Sequence, residues 1–212
     1  MEEGYRKGTI HASRPPEGRS AAYYMSMFDL ADTKELEGKT ILDLGAGAEN
    51  RFAEDLKRRG VNVTVAALSP DYADPVIGEI ARQKSPEGML LAGLGQVLPF
   101  RDETFDTVMA FHVYEHLRSD EESIRMFSEI SRVLKPSGVA KIGPLEIMHV
   151  GSSEEKLKSM VDLSDAAKYH TTVTLEYVPT HIPMVSTKYD SGHRATIRLS
   201  LIVLRKEAVT AA

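Results

Sequence analysis

The chain alternates short apolar runs with segments of helical period. Thr40–Leu44 is an apolar run that ends in glycines, which predicts a buried strand. Arg51–Arg59 reads as a helix closed by Gly60. Val61–Leu68 is β-branched and apolar and predicts a second strand, broken by Ser69-Pro70. Pro75–Gln83 reads as a helix, Met89–Ala92 as a short third strand, and Phe105–Phe111 as a fourth. Ser119, with Glu122 three residues on, carries a capping-box pattern. The helix it opens places Ile124, Phe127, Ile130 and Leu134 at helical spacing and stops at Lys135-Pro136-Ser137-Gly138. Val139–Pro144 follows as a fifth strand.

Strands alternating with helices predict an α/β fold with a parallel sheet wound by right-handed crossovers. The rhythm changes at both ends. Residues 1–20 are polar and read as an irregular arm, and residues 21–31 form an amphipathic segment with Tyr24, Met27, Phe28 and Leu30 on or near one face. After residue 145, Glu154–Lys168 reads as helical. Thr171–Val178 and Thr196–Arg205 read as late strands forming an antiparallel edge.

Composition narrows the chemistry. The 212 residues fit one domain, with residues 1–37 as arm and helix, 38–144 as core and 145–212 as late elements. No cysteine is present, which excludes disulfides, thiolate metal sites and cysteine nucleophiles. The net charge of −5 argues against a nucleic-acid partner, which needs a basic surface. No run of about 18 apolar residues suggests a membrane span. The expectation is a cytoplasmic protein.

Three motifs follow in order. Ile41-Leu42-Asp43-Leu44-Gly45-Ala46-Gly47 is a strand running into a glycine-rich turn and then a helix. Glycine lets a ligand approach the backbone closely, and the N–H groups at the helix start face a carboxylate or phosphate. Leu98-Pro99-Phe100 runs on to Phe105-Asp106. His112-Val113-Tyr114-Glu115-His116 then leads to the helix ending Arg132-Val133-Leu134-Lys135-Pro136.

As a constellation, these residues resemble the class I S-adenosylmethionine-dependent methyltransferases of the type 11 kind, over residues 38–144. The resemblance implies a Rossmann-like sheet, mostly parallel with an antiparallel edge strand and helices on both faces. It implies an S-adenosylmethionine site at the carboxyl edge of the sheet, as in other open α/β folds. Asp43, Gly45 and Gly47 would hold the methionine half. Ala67 and Leu68 would stand at the ribose, and Leu94 and Gly95 at the adenine. Phe111 and His112 would line the methyl-transfer side.

Three positions depart from the family pattern. Glu49 replaces the third glycine of the turn, Ala67 the acidic residue at the end of the second strand, and Leu94 the acidic residue before Leu98-Pro99-Phe100. Two lost charge-assisted hydrogen bonds, each worth roughly 1.5–3 kcal/mol, weaken cofactor binding by about two to four powers of ten. Asp71 and Gln96 are candidate substitutes.

The expected activity is therefore methyl transfer to a small-molecule acceptor. The alternative is a catalytically inactive methyltransferase-like binding or scaffold module. His112 and His149 are the candidate general bases, because histidine titrates near neutral pH and both positions fall near strand ends. His112-Val113-Tyr114-Glu115-His116 also spells the inverted zinc-protease signature. The flanking motifs favour a methyltransferase loop, and no metal is expected. No amino-methylating Pro-Pro motif follows the fourth strand, which argues against nucleic-acid methylation. The late strands offer an edge for a homo-oligomer.

Overall fold

The computed structural model describes residues 19–47, 50–84, 88–146, 159–160, 162–177 and 199–208. Helix α1 spans Ala21–Met27, followed by strand β1 at Thr40–Leu44 and helix α2 at Arg51–Arg58. Strand β2 covers Thr64–Leu68, α3 Pro75–Lys84 and β3 Met89–Leu91. Strand β4 covers Phe105–Phe111, α4 Asp120–Val133 and β5 Leu134–Glu146. Strands β6 at Thr171–Tyr177 and β7 at Leu199–Lys206 complete a seven-stranded sheet of order β3-β2-β1-β4-β5-β7-β6.

The first five strands pair in parallel, and β7 runs antiparallel to both β5 and β6. The antiparallel edge thus consists of two strands, with the later one inserted inside the earlier. Pairing with β7 satisfies the free side of β5, and the sheet edge passes to β6. Of the expected helix at 154–168, the described part is short, and a 3₁₀ turn at Ala167–Tyr169 leads into β6.

Strand alternation sorts the core into two faces. Leu42, Leu44, Ala66, Leu68, Val108 and Ala110 face α4, where Phe127 and Ile130 cover them. Ile41, Val65, Met109 and Phe111 face the opposite side, under Tyr24 and Phe28 of the N-terminal segment and Phe52 and Leu56 of α2. Strands buried on both faces read as continuous apolar runs, which is why β1 and β4 were legible.

The motifs have structural work here. Arg132 on α4 donates to the Leu98 and Phe100 carbonyls, at 3.1 and 2.8 Å. It also pairs with Glu129 and Asp102, at 2.7 and 2.8 Å. Glu129 in turn accepts from the Leu98 N–H at 2.7 Å. The end of α4 therefore clamps the loop that enters β4. Asp106 accepts from the Thr40 N–H and from Lys135 Nζ, both at 2.8 Å, tying the starts of β1 and β5 to β4. The Ser119 hydroxyl caps α4 by accepting from the Glu122 N–H. The Glu122 carboxylate reaches the Arg118 N–H instead of closing the box on Ser119.

Candidate functional site

The site grows from the carboxyl ends of β1, β2 and β4. Asp43 and Ala67 are register partners on adjacent parallel strands. Both lie on the face that carries α1 and α2. Asp43 is 1% exposed. Its Oδ1 accepts from the Tyr24 hydroxyl at 2.8 Å, and its Oδ2 has no hydrogen-bond partner among the described residues. Burial lifts its carboxyl from 3.8 to about 6, against the pull of the Tyr24 hydrogen bond and the Arg19 charge.

The glycine turn follows with positive φ at Gly45 (77°) and Gly47 (73°), the conformation glycine adopts most readily. The Gly45 N–H donates to the Leu68 carbonyl at 2.7 Å. A Cβ on Gly45 would lie 2.4 Å from Val113 Cγ2, so the turn packs directly on the loop after β4. Glu49 lies outside the described residues.

That loop starts at His112, which also has positive φ, at 54°. A non-glycine residue held in this region stores strain of about 1–3 kcal/mol, commonly found at functional positions. The His112 N–H donates to the Gly143 carbonyl at 3.0 Å, which pins the loop to β5. His112 Nδ1 contacts Glu115 Oε1 across a 3₁₀ turn at Tyr114–His116. Burial would raise the Glu115 carboxyl, but the hydrogen bond and charge of His112 outweigh it and hold Glu115 low. The turn is not α-helical, so His112 and His116 do not share a helix face. Among the described residues no cluster of three metal-ligating side chains occurs.

The N-terminal segment closes over this region. Arg19 Nη1 donates to the carbonyls of Phe111, at 2.9 Å, and Gly45, at 3.3 Å. Its guanidinium lies 4.5 Å from the centre of the Phe111 ring. Tyr24 stacks on Phe52 at 4.4 Å. The Ala21 N–H donates to Asp55 Oδ2 at 3.0 Å, which anchors α1 to α2.

The expected site residues separate in space. Asp43, Gly45, Gly47, Ala67 and His112 gather at one sheet edge. Phe111 ends β4 there too, but its ring packs among Tyr23, Tyr24 and Phe28. Leu68 sends its side chain into the α4-facing core, and its carbonyl is taken by the turn. Leu94 is 55% exposed, in a tight turn closed by a Val97 N–H to Leu94 carbonyl bond of 3.2 Å. Gly95 is enclosed by Leu44 and Met126. His149 lies outside the described residues. Sequence reasoning missed Arg19 and Tyr72 and took Tyr24 chiefly for core. The Ser-Pro-Asp-Tyr turn after β2 was the available signal for Tyr72.

Residues 42–142 match the family described as methyltransferase domain. Over 101 residues the chain is 37% identical to the probable tRNA methyltransferase 9B of Mus musculus, covering 48% of this chain and 20% of that protein. It is 27% identical over 152 residues to norajmaline N-methyltransferase of Rauvolfia serpentina, covering 71% and 51%. The fold is similar to a SAM-dependent methyltransferase from Methanosarcina mazei, with a TM-score of 0.56 at 14% identity, covering 81% and 94% of the two chains. The chain spans between a fifth and about half the length of these two curated relatives.

Proposed function

We propose that the chain is a class I methyltransferase, on the match of residues 42–142 to the methyltransferase domain family, and that it transfers the methyl group of S-adenosylmethionine to a small-molecule acceptor. One observation carries this reading. Among the described residues the buried Asp43 carboxylate keeps one oxygen without a partner, beside a positive-φ glycine turn, at the sheet edge where open α/β folds bind ligands. A ligand ammonium offers the charge and the donors that such an oxygen lacks.

S-adenosylmethionine supplies an electrophilic methyl on sulfur for in-line displacement. The chain's own part is largely to position donor and acceptor, which accounts for much of the rate in such transfers. Asp43, Gly45 and Gly47 hold the amino-acid end. Arg19 and α1 cover the site against water. His112 takes the proton that a protic acceptor loses, on the ring nitrogen that Glu115 leaves free.

The names of the two relatives above carry tRNA and norajmaline. The net charge of −5 favours the small molecule. Ala67 in the core and Leu94 in solvent supply no carboxylate, which favours a second reading, a non-catalytic module. Calorimetric titration with S-adenosylmethionine and S-adenosylhomocysteine separates the two. Micromolar binding supports the enzyme, and silence at millimolar ligand supports the module.

A further inference from the structure

Helix α1 crosses the sheet with both ends pinned. At its start the Ala21 N–H donates to Asp55 on α2 at 3.0 Å, and one turn on Tyr24 reaches Asp43 on β1. Tyr24 and Phe28 then pack on the Phe111 ring of β4, at 5.3 and 5.6 Å between centroids. At the far end the Phe28 carbonyl accepts from Lys141 Nζ on β5. The helix thus lies over β1, β4 and β5 in turn.

The lysine is the costly member of this set. Asp43, Met109 and Lys141 are register partners across three strands, on the face that α1 covers. Met109 is fully buried there, and Lys141 is half-buried. Burial pulls the Lys141 ammonium below the usual lysine value, against the carboxylates of Glu176, Asp29 and Glu35. Methionine would fill the same space without desolvating a charge. What the ammonium adds is a donor for the helix end. The chain leaves α1 through Asp29 at positive φ, 51°, and the Leu30 N–H turns back to the Met25 carbonyl at 2.9 Å. The Phe28 carbonyl needs a partner from outside the helix, and Lys141 supplies it.

Asp43 and Tyr24 are each 1% exposed, so a ligand that reaches the carboxylate must displace what covers it. Tyr24 of α1 is the side chain in contact with it. We infer that Lys141 is a positioning residue that latches α1 in its closed place over Asp43, and that ligand entry and release require this bond to break. The gating half rests on the cofactor reading above, and the latch itself does not. Lys141→Met keeps the stem in the apolar row and removes the donor. Lys141→Arg keeps a cation with donors at the same position.

Amide hydrogen exchange on the full chain tests the latch, and the dissociation rate of S-adenosylhomocysteine tests the gating. Lys141→Met is expected to speed exchange at residues 24–28 by about tenfold, the worth of one charge-assisted hydrogen bond, with the amides of β4 unchanged. Lys141→Arg is expected to return exchange toward wild type. S-adenosylhomocysteine should leave Lys141→Met about tenfold faster than it leaves wild-type protein. Unchanged exchange in Lys141→Met overturns the latch. Faster exchange with unchanged ligand release overturns the gating and leaves the cofactor reading standing. No binding of S-adenosylhomocysteine by wild-type protein overturns the cofactor reading and the gating together. Wild-type protein also gives a check that needs no variant. The Lys141 ammonium protons are expected to be protected enough for a nitrogen-resolved NMR signal near neutral pH, and free exchange with water overturns the latch.

Discussion

The Tyr24 hydroxyl donates to Asp43 Oδ1 at 2.8 Å, joining a helix near the start of the chain to the carboxyl end of β1. Both residues are buried, at 1% exposure each. The bond satisfies one carboxylate oxygen, and the other has no partner among the described residues, so α1 shapes this edge of the sheet as well as covering it.

Asp43 makes stability depend on pH. Its carboxyl titrates near 6 in the folded chain against 3.8 ordinarily. Between these values the folded state holds a proton that the unfolded chain releases, so stability falls as pH rises through the window. Above it the buried charge costs up to about 3 kcal/mol. Asp43→Asn is expected to raise unfolding free energy by up to that amount near about pH 8 and by little near about pH 4. The same variant should lose S-adenosylhomocysteine binding. Urea melts at both pH values check the first claim, and an equal gain at both contradicts it.

Gly45 should tolerate no side chain. Its φ is 77°, and a Cβ would lie 2.4 Å from Val113 Cγ2. Strain and overpacking together predict a loss of about 2–4 kcal/mol for Gly45→Ala. Chemical denaturation measures it, and a loss below about 1 kcal/mol would show that the Val113 loop yields.

Arg132 binds two carboxylates and two carbonyls from one guanidinium. Arg132→Ala is expected to cost about 2–3 kcal/mol, as for partly buried charged hydrogen bonds. Arg132→Lys should recover little, because an ammonium cannot span the same fork. Full rescue by lysine in thermal melts would reduce the clamp to a simple charge effect.

His112 and Glu115 should act as one unit. With a protic acceptor, His112→Ala is expected to lower kcat about a hundredfold, with a far smaller change in cofactor affinity. Glu115→Gln should lower kcat as well, and the double variant should be no worse than His112→Ala alone. Additive losses in the kinetic cycle would place the two residues in separate roles.

The strands β1 and β4, helix α4 and the parallel order of the first half were legible because local periodicity and burial on both faces decide them. The glycine turn was legible because positive φ selects residue type. The position of β7 inside β6 was not, since strand order depends on pairing between distant segments. Nor did local pattern show the convergence at the site. Tyr24 has the same apolar spacing as core residues, and only its placement beneath β1 turns its hydroxyl to Asp43. Arg19 belongs to a polar arm until the fold brings it to the Gly45 and Phe111 carbonyls. Tyr72 lies in an ordinary turn until the small residues Ala46, Ala67 and Ala81 admit its ring. By itself the sequence determined the fold class and the scaffold, because those rest on repeated local choices. Only the tertiary structure decided which buried polar atoms lack partners among the described residues, because a hydrogen bond between distant residues has no signature in their spacing.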